Sequence, residues 1–190
     1  MNTPTARGAA QSRPIWPPVV RCGHWLLATG VLGCLWLYQG GPWHERLGYL
    51  ALAVALWRCA HGLSAQRRHL RFSGFLRGPR GTWAYARALL AHREPRHLGH
   101  NPLGAWMIVL LLLATAVAGA SGALYATDRY WGDETVYAIH KVTAWSLAVL
   151  VPVHLAGVLL TSWLQRENLV LAMFSGRKRA AAADDVDLEP

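Results

Sequence analysis

Hydrophobic and polar positions in this chain separate into long uncharged windows divided by basic stretches. No Asp, Glu, Lys or Arg occurs in 22–44, 97–127 or 142–165. Apolar residues run together inside these windows instead of alternating, which fits neither a half-buried strand nor a one-sided soluble helix. A bilayer core of about 30 Å needs about 20 helical residues. The windows therefore predict membrane spans over about 21–38, 103–124 and 136–162. A fourth window is shorter: 47–57 is apolar, Arg58 interrupts it, and 59–66 is again uncharged. Eleven residues alone suit a buried or re-entrant segment. With Arg58 near one end, where a guanidinium can snorkel to the interface or meet an anion, 44–62 reads as a span.

Charge agrees with four spans. They put three basic segments on one side: the N-terminal tail (Arg7, Arg13, Arg21), the connector 63–101, and the end of the chain (Arg166, Arg177, Lys178, Arg179). The connector carries Arg67, Arg68, Arg71, Arg77, Arg80, Arg87, Arg93 and Arg96 against one acid, Glu94. The opposite loops, about 39–45 and 125–135, carry Glu45, Asp128, Arg129, Asp133 and Glu134. The positive-inside rule then places both termini in the cytoplasm. The expected fold class is all-α: an integral membrane four-helix bundle over 19–179, with a flexible tail at 1–18 and an acidic disordered tail at 180–190. Within the connector, 81–93 reads as a short helix on the cytoplasmic membrane surface, with Trp83, Ala86, Leu89 and Leu90 toward one side. Its membrane flanks account for the positive charge without nucleic acid. The first apolar run exceeds a signal-peptide h-region and is read as an uncleaved span.

Composition narrows the class further. The chain has 190 residues, of which 53% are hydrophobic and only 15% charged, yet its formal net charge is +9. So much apolar surface excludes disorder, and three cysteines (Cys22, Cys34, Cys59) exclude a disulfide scaffold. Cys22 and Cys59 read as free thiols near the reducing face, and Cys34 as a small core residue. Trp16, Trp43, Trp131 and Trp163 fall where interfacial anchors are expected.

Ionisable residues inside a span are costly and mark function. Four histidines sort by depth into an inner pair, His24 with His154, and an outer pair, His44 with His140. His140 and His154 are about 21 Å apart along a helix and within about 40° of one face. Two such pairs suit two flat cofactors, each held between helices by two axial imidazoles. Zinc wants three or four protein donors, and no Cys, Asp or Glu lies at these depths. Haem brings four nitrogens of its own, and the absence of Cys-x-x-Cys-His makes it b-type. Gly23, Gly30, Gly33, Gly48 and Gly157 would admit such rings or, equally, tight helix packing. His61 and His100 lie at inner helix ends. Either could contact haem propionates or a quinone head group, or sit at the interface, and His61 could replace an inner ligand. Arg58, one turn from His61, could pair with a propionate or snorkel. His69, His92 and His97 are expected to be solvated among the arginines.

Five motifs carry a resemblance: R-C-G-H-W-L at 21–26, W-H-E-R-L-G-Y at 43–49, R-H-L-G-H-N-P-L-G-A-W-M at 96–107, H-K-V-T-A-W at 140–145, and R-E-N-L-V-L-A-M-F-S-G-R-K-R at 166–179. Their order and spacing resemble the bacterial cytochrome b561 and nickel–iron hydrogenase b-type cytochrome family over about 15–179. The resemblance implies a four-helix inner-membrane protein that moves electrons through b haems. In di-haem members the ligands lie on spans one, two and four, matching His24, His44, His140 and His154. The long basic connector looks more like the hydrogenase-type branch, whose members serve a partner redox subunit. The expectation is a respiratory electron conduit holding two b haems, linking quinone to a partner redox protein such as a c-type cytochrome or hydrogenase-like subunit. An oxidoreductase acting directly on a small substrate or quinone at the outer haem edge is the alternative. A non-redox metal transporter is a third reading and predicts a colourless protein.

Overall fold

The computed structural model describes residues 12–66, 70–180 and 185. Four long helices dominate: α1 (Pro18–Trp36), α2 (Pro42–Ser64), α5 (Pro102–Tyr125) and α6 (Glu134–Leu164). The connector folds into α3 (Phe72–Phe75) and α4 (Pro79–Leu90). After α6 come α7 (Leu169–Ser175) and a short strand β2 (Arg177–Arg179), which pairs antiparallel with β1 (Ser12–Pro14).

Local chemistry sets the helix starts. α1, α2, α4 and α5 each carry proline in the first turn, where its missing N–H costs nothing. Asn101, Asp133 and Asn168 cap α5, α6 and α7, each side chain accepting from a backbone N–H three residues on, at 2.7–2.8 Å.

α1 packs on α2, α2 on α5 and α5 on α6, and α1 touches α6 to close the ring. Val31, Ala51, Ala118 and Leu147, one from each helix, meet at its centre. Small residues bring the backbones close. A Cβ on Gly30 would lie 3.0 Å from the Ala51 Cβ, and one on Gly119 would lie 2.8 Å from the Leu52 Cβ. Gly30 and Gly33 thus serve helix packing against α2. The outer surface is apolar: Trp145, Val149, Leu155 and Leu159 on α6 are all exposed. Three helices, α1, α5 and α6, are long and apolar enough to cross a membrane. α2 carries Glu45, Arg46 and Arg58 and is less apolar, but its 23 residues reach about 34 Å.

The chain ends depart from expectation. Residues 12–18, read as part of a flexible tail, are tied down. Gly176 ends α7 in the left-handed region (φ +77°), and its carbonyl accepts from the N–H of both Ile15 and Trp16, at 2.8 and 3.0 Å. This turn lays β2 alongside β1. Trp16 is only 6% exposed, in a cluster with Val20, Ala65 and Leu70, and is not a surface anchor. The acidic tail is held at two described points: Arg96 pairs with Asp185 and donates to the Ala180 carbonyl at 3.4 Å. The remaining tail residues, like Arg7, Arg67, Arg68 and His69, lie outside the described residues.

Arg96 is the centre of a buried ionic platform. Its guanidinium donates to Glu167 over 2.9–3.3 Å and to the Arg179 carbonyl at 2.9 Å. Glu167 in turn accepts from the Arg179 N–H at 2.6 Å. Both side chains are under a tenth exposed. Beside them Lys178 is buried, donating to the Gly99 carbonyl at 3.4 Å. Burial pushes its ammonium down to about 8, with Arg96 adding to the effect and Glu167 opposing it.

Removing one partner of a buried ion pair leaves the other uncompensated. Arg96→Ala is expected to destabilise the fold by about 3–5 kcal/mol, seen as a lower thermal midpoint of detergent-purified protein. Lys178 gives a second test. Between about 8 and its ordinary 10.5 the unfolded chain holds a proton there that the folded chain does not. Its contribution to stability therefore rises with pH across that window. Lys178→Met should raise the midpoint at pH 7, and the gain should fade toward pH 10.

Candidate functional site

The outer histidines meet. His44 sits in the first turn of α2 and His140 in the second turn of α6, with ring centroids 6.0 Å apart and planes at 73°. His44 Nδ1 lies 3.0 Å from the Leu37 carbonyl, and His140 Nδ1 lies 2.9 Å from the Ala118 carbonyl. A carbonyl only accepts, so each Nδ1 carries the proton and each Nε2 is left bare. This is how an orienting hydrogen bond fixes a metal-binding imidazole. Two metal–imidazole bonds of about 2 Å each fit between rings at this spacing.

Gly122 makes room for the arrangement. A Cβ there would lie 3.0 Å from His140 Cε1 and 3.1 Å from Nδ1. Sequence reasoning missed this residue. The run of small residues at 118–122 on the helix facing His140 was the available signal. A Cβ on Gly48, singled out from sequence, would lie 3.9 Å from the Cys34 Sγ, and one on Gly157 would meet no protein atom within 4 Å.

His24 on α1 and His154 on α6 lie within electrostatic reach of each other. His24 Nδ1 is fully buried with no hydrogen-bond partner among the described residues. Its ring stands edge-on to Trp25 (4.9 Å, 89°), which stacks on Phe174 of α7 at 4.2 Å. Gly23 lets the Trp57 ring approach: a Cβ there would be 2.5 Å from it. Trp57 also stacks on His61 (5.4 Å, 28°).

Arg58 and His61 lie toward the inner end of α2. Arg58 Nη1 and His61 Nδ1 are both fully buried and unpartnered among the described residues. The guanidinium lies 5.2 Å over the Phe72 ring. Its Nη1 lies close against Gly62, where an added Cβ would be 2.7 Å away. His100 is clasped between Trp16 (4.7 Å) and Phe75 (4.9 Å), where it joins the N-terminal segment to α3.

His97 corrects the expectation of a solvated ring. It is buried, with Nδ1 3.0 Å from the Pro95 carbonyl and its ring edge-on to Tyr85 at 5.3 Å. Burial lowers its pKa; the Pro95 bond opposes this, and Arg77 and Lys178 reinforce it. Burial and the Glu94 carboxylate push the Tyr85 phenol up to about 12. The connector therefore has a core of its own, which its arginine content concealed.

Among the described residues no group of three or more His, Cys, Asp or Glu side chains converges. Each pair offers two imidazoles from two helices, a donor set that suits a cofactor with equatorial ligands of its own. The family model for prokaryotic cytochrome b561 matches residues 15–176. The chain belongs to the prokaryotic cytochrome b561 family. No curated protein and no solved structure matches it. Cytochromes of this family are helical membrane proteins that bind b-type haem and transfer electrons. The three apolar helices agree with a multi-pass cytochrome, and the paired, bare imidazole nitrogens fit haem.

Gly122→Val should press a methyl group into the His140 ring and lower the haem retained per chain. Gly81→Ala, on α4 in the connector, where the added atom meets only the Arg77 Cβ at 3.4 Å, should leave it unchanged. Pyridine haemochrome assay of the two purified variants checks the contrast.

Proposed function

We propose that this cytochrome carries electrons across the bacterial inner membrane through two non-covalent b haems, linking the quinone pool to a partner redox protein. His44 and His140 would hold one haem, and His24 and His154 the other. The observation that carries the reading is the outer pair: two rings from different helices, 6.0 Å apart, with both Nδ1 atoms bonded to backbone carbonyls. For the inner pair the support is the proximity of His24 and His154 and the unpartnered His24 nitrogen.

When bound, haem supplies a one-electron couple. Held by two histidines, it would favour electron transfer over oxygen chemistry. The chain's residues orient the rings, exclude water and neutralise charge. Leu37 and Ala118 carbonyls keep the outer imidazoles in one tautomer. Arg58 and His61 offer buried donors to haem propionates or a quinone head group. The ligands on α6 lie about 21 Å apart along the helix, so the two sites stand near opposite membrane faces.

The reading includes four crossings with both termini cytoplasmic. It is supported by the length of α2 and its packing between α1 and α5. The gathering of connector and chain-end cations around Arg96 and β2 supports the sidedness by the positive-inside rule.

Haem per polypeptide, measured with a reduced-minus-oxidised spectrum, should be about two b haems. His154→Ala and His140→Ala should each halve it. Changing His24 and His154 together should cost no more than either alone. Full haem content in His154→Ala would refute the inner ligand assignment. A colourless wild type, expressed with ample haem, would refute the electron-transfer reading altogether.

A further inference from the structure

α4 presents three sectors. At about 100° per residue, Tyr85 and Leu89 share one side. Pro79, Trp83, Ala86 and Leu90 share a second, and Arg80 and Arg87 border that second sector. The first faces the protein, where Tyr85 is buried against His97. The second is left uncovered: Trp83 is 65% and Leu90 82% exposed.

The start of α5 lies against this uncovered face. The Trp106 indole N–H donates to the Arg77 carbonyl and to Thr82 Oγ1, both at 3.2 Å, and pins the two helices together. Between them runs an apolar groove lined by Pro79, Thr82, Trp83, Ala86, Leu103 and Trp106. At the same 100° per residue, Leu110 and Leu113 share the face of α5 that carries Leu103 and Trp106, and both are exposed. The groove is therefore continuous with the surface that α5 presents to lipid. α4 contains no acidic residue, and Arg77, Arg80 and Arg87 are exposed.

We propose that this groove binds one anionic phospholipid. An acyl chain lies against Trp83, Ala86 and Leu103 and continues along α5, while the phosphate is held by Arg80 and Arg87. The chemistry selects the occupant. A groove that drains into the lipid-facing surface takes a chain already dissolved in the bilayer. Arginines at the level of the head groups, with no acid beside them, favour a net negative phosphate through guanidinium pairing. A tryptophan with its polar edge bonded and its rings in the groove is the usual interfacial arrangement. The site rests on the membrane reading of the chain and is independent of the haem count.

Native mass spectrometry of delipidated, haem-loaded protein tests it. The protein is titrated in detergent with dioleoyl phosphatidylglycerol and, separately, with dioleoyl phosphatidylcholine. One phosphatidylglycerol should be retained at least tenfold more tightly than phosphatidylcholine. The double variant Arg80→Gln, Arg87→Gln should bring the two lipids level, and Ala86→Trp, which fills the groove, should weaken both. The haem spectrum should stay unchanged throughout, which separates failure of the lipid site from failure of the electron-transfer reading. Equal retention of the two lipids by wild type, or a preference surviving the double variant, would overturn the proposal. So would a quinone or a second copy of the chain that leaves on Ala86→Trp while phosphatidylglycerol remains.

Discussion

The low dielectric around the long helices governs what every polar group in this chain must do. A group facing lipid or the helix interior cannot fall back on water. Hydroxyls solve this locally: Thr115, Ser121, Thr143, Ser146 and Ser162 each donate to a carbonyl one turn back. The outer histidines solve half of it. Each spends one nitrogen on a backbone carbonyl and keeps the other bare. At His24, Arg58 and His61 buried nitrogens have no hydrogen-bond partner among the described residues. Under the proposed function, a bound haem or quinone would complete the chemistry at these positions.

At the end of the molecule where the chain termini meet, the same constraint is met differently. Arg96, Glu167 and Lys178 are buried among backbone carbonyls and one another instead of being aimed at solvent. The platform joins the connector, the segment after α6 and the N-terminal strand. One end of the molecule is thus organised around bare imidazoles, the other around paired ions.

Much of this was legible in the sequence because the signals are one-dimensional. Uncharged windows gave the long helices to within a few residues, with α6 running from Glu134 to Leu164 where 136–162 was expected. Depth along a helix sorted His44 with His140 before any coordinates. What stayed hidden depends on contacts between distant segments. Arg96 and Lys178 read as two more cations of a topology signal, although each is buried. His97 looked solvated because its neighbours in sequence are polar, while its neighbour in space is Tyr85. Gly122 stood out from no other glycine until the His140 ring was seen above it. The strand β1 could not be foreseen, because a three-residue segment has no pattern without its partner.

That pairing has a consequence for how the molecule is made. Ser12 precedes all four long helices in the chain, and its partner Arg179 follows them. The N-terminal strand must therefore wait, unpaired, while every apolar helix is delivered to the bilayer. β1 can close on β2 only after all four long helices have been made, so the clasp registers that the segments before and after them stand on one side. A polypeptide stalled or cut before Gly176 would insert its helices and still lack this clasp, giving quality-control proteases a loose end that the finished protein conceals.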